Sequence, residues 1–209
     1  MSVAVTDPVI DSVIASVTAP LALARIKAAT RAEHEALDAA LDLMSPALDA
    51  AGYRRRLELF FGYYAPLEAA LAASTHWARH GIDWAARLKT GWLQSDLHAL
   101  GIDPAGLPHC AALPRLDSLA AGFGCLYVIE GATLGGQLIS RHLLRQFGYD
   151  SRHGAVFFNG YQHRTAEMWK SFRSAFAAHV DEAGEARAEA AAIATFAGLR
   201  HWCSQDSAA

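Results

Sequence analysis

One stretch limits what this chain can become more than any other: residues 115 to 147, apolar enough for one long helix, yet interrupted by Gly122, Gly124, Gly131, Gly135 and Gly136. Each glycine inside a helix costs about 0.8–1 kcal/mol relative to alanine, so some other interaction must offset the five. Close approach of the backbone to a neighbour is the physical return. The run Gly131-Ala-Thr-Leu-Gly135-Gly136 strips side chains from one face, which lets the backbone lie against a planar ligand or bend over it. The alternative is helix-on-helix contact through a G-x-x-x-G surface, which accounts for Gly131 and Gly135 but not for Gly136. The helix is expected to start just after Pro114 and to end at Gly148 as C-cap.

The most membrane-like part, Ser118 to Ser140, contains Glu130 and Gln137, so a spanning helix would carry an unpaired carboxylate at its centre. A buried helix of a globular protein is the expectation, with no membrane partner. The first twenty residues carry Asp7 and Asp11 and no Lys or Arg, the wrong charge order for a secretory signal. Residues 1 to 18 are expected to form a flexible arm, and 19 to 205 one domain, since no Gly/Pro/Ser-rich linker divides the chain. Its composition, 53% hydrophobic and 19% charged with few β-branched runs, favours helix throughout and predicts an all-α fold. A net charge of -3 offers no basic field for nucleic acid. Cys110, Cys125 and Cys203 form no C-x-x-C pair and read as thiols in a reducing cytoplasm.

Elsewhere the apolar spacing predicts helices from Leu21 to Met44, around Leu57 to Leu71 with a bend at Pro66, over Ile82 to Lys89 and over Trp92 to Leu100. A loop is expected around Pro104, Gly106 and Pro108, and a surface connection over residues 149 to 160. Two final amphipathic helices are marked by Met168, Trp169, Phe172 and Phe176, then by Ile193, Phe196, Leu199 and Trp202.

In the first helix His34 falls in the apolar stripe of Leu23, Ile26, Leu37 and Leu41 and is expected to face inward. An imidazole there needs a partner, and Asp38, one turn on, could accept the Nδ1 proton and leave Nε2 free for a metal. The alternative is a core histidine bonded to its neighbours. Lys27 and Arg31 precede His34 by seven and three residues and share its face. At about 1.5 Å rise per residue, Lys27 lies roughly 10 Å along the axis from His34. Either cation alone could equally be the solvated edge of an amphipathic helix.

The segment Ile26-Lys-Ala-Ala-Thr-Arg-Ala-Glu-His34 resembles the proximal helix of heme oxygenases, and Tyr127-Val-Ile-Glu-Gly131-Ala-Thr-Leu-Gly135-Gly136 resembles their distal helix. The two motifs occur in the family's order and separation, and the likeness extends from about residue 21 to 203. It is closest to bacterial members, including those that accompany bacteriophytochromes. The resemblance implies a helical bundle with heme between proximal and distal helices, His34 as the iron ligand, and Gly131, Gly135 and Gly136 along the distal face. It also implies that Lys27 and Tyr127 contact the propionates, and it places Arg173 as a late propionate partner and Phe196 as a pocket aromatic; Arg31 is a further candidate heme contact by its spacing alone. The plainer readings are a surface charge for Arg173 and core packing for Phe196. Heme would be both substrate and cofactor, with O2 and an external electron donor, a ferredoxin or a reductase, giving biliverdin, carbon monoxide and ferrous iron. A bacteriophytochrome is a candidate recipient of the biliverdin.

One departure is Ala132, where many heme oxygenases carry an Asp that orders the distal water chain. The Gly131 carbonyl and ordered water are the expected substitutes. The main rival function is a heme-binding protein that stores, carries or senses heme without degrading it. A di-iron oxidase is disfavoured because the chain contains no Glu-x-x-His. A thiamine-degrading enzyme would need an activated thiol, and Cys125 sits among apolar residues with no cation to lower its pKa.

Overall fold

Aspartate and serine caps, and one glycine, set where the helices begin and end. The computed structural model describes residues 21 to 205, so the expected arm over residues 1 to 18 lies outside the described residues. Seven α-helices follow one another: α1 (Leu21–Leu41), α2 (Ala50–Ser74), α3 (Thr90–Ala99), α4 (Leu119–Phe147), α5 (Val156–Asn159), α6 (Thr165–His179) and α7 (Glu182–Ser204). Among the described residues there is no strand, only isolated bridges from Asp150 to His153 and Gly154. The all-α expectation is met.

Asp49, Ser118 and Asp181 each accept a backbone N–H in the first turn of α2, α4 and α7, from Gly52, Ala121 and Gly184 at 2.7, 3.1 and 2.9 Å. Gly148, with φ of 74°, closes α4 in the left-handed conformation and donates to the Leu144 carbonyl. Because Ser118 supplies the cap, α4 starts at Leu119 and not directly after Pro114. Pro66 stands inside α2, which continues through it to Ser74.

Close backbone approach holds the centre together. The last helix, α7, packs against both α1 and α4. Its buried face is made of Gly184, Ala188, Ala191, Ala192 and Thr195, and a Cβ on Gly124 of α4 would run into the Ala188 carbonyl. Small side chains on both helices therefore set their spacing. The most apolar stretch of α4 is long enough to cross a membrane, but 67% of it is buried inside the fold. Its apolar length serves the core.

Two connections differ from the sequence expectation. Residues 82 to 89 form no α-helix; short 3-10 turns at Trp77–His80 and Ala85–Arg87 replace it. The Trp77 indole donates to the Leu71 carbonyl at 2.9 Å and its ring stacks on Trp84, while the Arg87 and Lys89 side chains turn inward to the single buried carboxylate of Glu130. Those long-range demands override helical spacing. The 149–160 segment is likewise not a surface connection, because α5 buries Phe157 and Phe158 against the core. The Asp96 carboxylate of α3 anchors that turn by accepting from the N–H groups of Val156 and Phe157, each at 2.8 Å.

Candidate functional site

The buried stripe of α1 runs through Ile26, Thr30, Leu37 and Leu41, and His34 occupies the turn between Thr30 and Leu37. Its side chain is nevertheless 57% exposed, so the expectation that it faces a packed interior is corrected. The angular position is right, but among the described residues the one ring beside it is Phe196 of α7, 5.2 Å away and tilted by 51°. The expected second partner also changes. It is His34 Nε2, not Nδ1, that lies nearer Asp38, at 3.6 Å from Oδ2, which is beyond hydrogen-bond reach. Both side chains are mostly solvated, so water competes for each.

Two ion pairs seat α1 on α7: Arg25 with Glu185 at 2.7 Å and Glu33 with Arg200 at 3.0 Å. The second pair sits next to His34 in one helix and one turn past Phe196 in the other, which brings the imidazole to the phenyl ring. Lys27 and Arg31 are exposed on the same helix.

Tyr127 of α4 stands near Thr30 of α1, whose hydroxyl donates to the Ile26 carbonyl at 2.7 Å. Burial raises the Tyr127 pKa above the ordinary phenol value, so the ring stays neutral. Tyr127 also meets the Trp169 ring of α6 at 5.9 Å, and Arg173 follows one turn later in α6. Arg173 is only 8% exposed, which removes the reading of it as a surface charge. One turn beyond the Thr30–Tyr127 contact stand His34 in α1 and Gly131 in α4.

The glycines of α4 separate into two groups. A Cβ on Gly131 or Gly135 would meet no atom within 4 Å. A Cβ on Gly136 would run into the Phe158 carbonyl of α5, and one on Gly122 would press on the Trp77 ring at 3.1 Å. Gly136 is therefore buried against protein backbone, and the expectation that it lines the same face as Gly131 and Gly135 is corrected. The attribution by helix packing is reversed as well: the packing glycine is Gly136, while the G-x-x-x-G pair is uncovered. Ala132 is exposed.

Sequence reasoning missed a buried ionic cluster on the flank of α4. Glu130, 1% exposed, pairs through Oε2 with the Arg87 guanidinium and through Oε1 with the Lys89 ammonium. The Tyr161 hydroxyl donates to Oε1 at 2.8 Å and also lies 2.8 Å from Lys89 Nζ. Glu68 completes the group by accepting from the N–H groups of Lys89 and Thr90 at 2.7 and 3.1 Å and from the Thr90 hydroxyl at 2.6 Å. Burial pulls the Lys89 pKa below the ordinary lysine value, and the Glu130 carboxylate opposes that shift. The one signal in the sequence was Glu130 itself, since a carboxylate inside an apolar run needs buried partners.

Cys125 is fully buried, its thiol pushed up to about 11 by burial and bonded by the Thr195 hydroxyl at 3.2 Å, which leaves no activated nucleophile there. A separate concavity of about 500 Å3, lined among others by His76, Trp77, Ile82 and Trp84, includes neither His34 nor the open glycines.

Fold and site together define a class: an all-helical bundle with an accessible imidazole on one helix and an uncovered glycine pair on another. The family whose model matches residues 21–205 is Heme oxygenase, and the chain belongs to that family. A search of the curated proteins gave no match. Among solved structures, the NO- and CO-bound heme oxygenase from Neisseria meningitidis superposes with a TM-score of 0.76 at 19% identity, covering 90% of this chain and 92% of that one. The protein is thus a heme-degrading oxygenase, with heme as substrate and cofactor and O2 as co-substrate.

Proposed function

We propose that His34 is the proximal iron ligand and that the backbone at Gly131 and Gly135 lies along the distal face of the porphyrin, in the space one turn beyond the Thr30–Tyr127 contact. The observation that carries this is the split among the α4 glycines: Gly136 is pressed on protein, whereas nothing stands within 4 Å of a Cβ at Gly131 or Gly135. The residues present fit heme: an exposed imidazole, a phenyl ring tilted against it, two uncovered glycines one turn apart, and cations on the same helix as the imidazole.

Bound there, heme with O2 and supplied electrons is opened at a meso carbon to biliverdin, carbon monoxide and ferrous iron. The chain's own part is to ligate, orient and exclude water. His34 would offer the iron an imidazole nitrogen, a weaker donor than a thiolate. Phe196 limits the tilt of that ring. Lys27 and Arg31 on α1, with Tyr127 and Arg173, hold the propionates and so fix which meso edge faces the glycines. With Ala132 following Gly131, no carboxylate is adjacent, and the second lone pair of the Gly131 carbonyl holds an ordered water that carries the proton. Electrons come from a ferredoxin or a reductase. The setting is a bacterial cytoplasm, and a bacteriophytochrome is the recipient of biliverdin.

The test is to add hemin to the purified protein and follow its absorption in air with ascorbate or a ferredoxin system. Wild type is expected to convert the hemin spectrum to that of biliverdin. His34→Ala should lose both the wild-type ferric spectrum and turnover, and a variant that keeps both would overturn the assignment of His34.

A further inference from the structure

We infer that the Glu130 cluster is a positioning device for the distal backbone, a clamp that holds α4 just before its uncovered glycines and, together with the propionate contacts, sets which ring edge is attacked. This rests on the reading that heme lies along Gly131 and Gly135. The two glycines are exposed to distortion, because each loosens the helix and neither is braced by a neighbour. The stretch is held at both ends. At one end, Glu130 is gripped by three side chains, Arg87 at the end of the Ala85–Arg87 turn, Lys89 just beyond it, and Tyr161 from the segment following α5. At the other, Gly136 is seated on the Phe158 backbone.

The two ends share a support. Phe158 and Tyr161 belong to the same short segment, in which a Cβ on Gly160 would meet the Thr133 side chain at 3.4 Å, and the Thr133 hydroxyl donates to the Glu130 carbonyl at 2.7 Å. An apolar cluster of the same volume would serve stability as well or better, since burying charges costs more than their attraction usually returns. Directional bonds to one carboxylate supply what apolar packing does not, a fixed rotation and height for the helix at residue 130. Glu68 plays a supporting part by holding the Lys89 and Thr90 N–H groups, so that both cations are presented to one side.

The experiment uses the full chain with three variants: Glu130→Gln, Lys89→Met, which leaves the Arg87 pair in place, and Tyr161→Phe. Amide hydrogen exchange of the heme-free protein is expected to rise at least tenfold over residues 131 to 136 relative to residues 120 to 126 in Glu130→Gln, and less in Lys89→Met. With hemin bound, the wild-type ratio of biliverdin isomers should become mixed in the same order. If Glu130→Gln fails to fold, Lys89→Met and Tyr161→Phe carry the comparison. Uniformly faster exchange with an unchanged isomer ratio would show that the cluster only stabilises the fold, and would overturn the inference. Failure of the underlying heme placement is seen separately, as unchanged hemin affinity in Gly135→Leu.

Discussion

Gly135 and Gly136 are neighbours in sequence with opposite environments, and substitutions at the two should differ in sign. Gly136→Ala forces a methyl into the Phe158 backbone and should destabilise the heme-free protein by about 1–3 kcal/mol, seen as a lower denaturation midpoint. Gly135→Ala meets nothing and should stabilise the heme-free protein by up to about 1 kcal/mol through helix propensity. Its cost falls on the ligand: hemin titration should show weaker binding in Gly135→Leu than in Gly135→Ala. Equal destabilisation at both positions would contradict the division between packed and open glycines. How far this was legible follows from where the information sits. The glycine run and the spacing of Lys27, Arg31 and His34 are local and periodic, so they could be read directly. Which glycine touched protein depended on Phe158, a residue some twenty positions away in a segment expected to be a surface loop.

At the scale of elements, α5 depends on one carboxylate. Asp96 accepts two N–H groups at the start of α5, and burial lifts its pKa from 3.8 to about 6 despite those bonds and the nearby His153. A carboxyl whose folded pKa is raised binds protons in the native state that the unfolded chain has already lost. Its contribution to stability is therefore fully present below the unfolded value and is lost as pH rises through about 6. Thermal melts should show Asp96→Asn with a flatter dependence of Tm on pH between about 4 and 6 than wild type; parallel curves would refute the shift. Helices whose apolar period is strong, α1, α2, α4, α6 and α7, were visible in the sequence. The 77–89 segment was not, because its geometry answers to Glu68 and Glu130, and such pairings across the chain leave no periodic trace. Nor could periodicity tell that the stripe of α1 lies open at His34, since that depends on what stands opposite.

For the whole molecule, a ligand that bridges α1 and α4 adds its binding energy to folding. At hemin a hundredfold above its Kd, the gain is about 2.7 kcal/mol, on the order of 5–10 °C in Tm for a domain of this length. His34→Ala should lose most of that rise while keeping the Tm of the heme-free protein, because the imidazole is 57% exposed and Phe196 is the one aromatic ring it meets among the described residues. A full thermal gain in that variant would place the ligand's anchorage elsewhere.

The two ion pairs between α1 and α7 bear on how the prosthetic group arrives and departs. Arg25–Glu185 and Glu33–Arg200 are partly solvated, and such pairs weaken as electrolyte is added. The helix bearing His34 packs chiefly on α7, so it is joined to the rest as a leaf is to a spine. Raising potassium chloride from 10 mM toward 1 M should therefore quicken hemin transfer to apomyoglobin more than it alters global unfolding, and the leaf's looseness would be set by ionic strength.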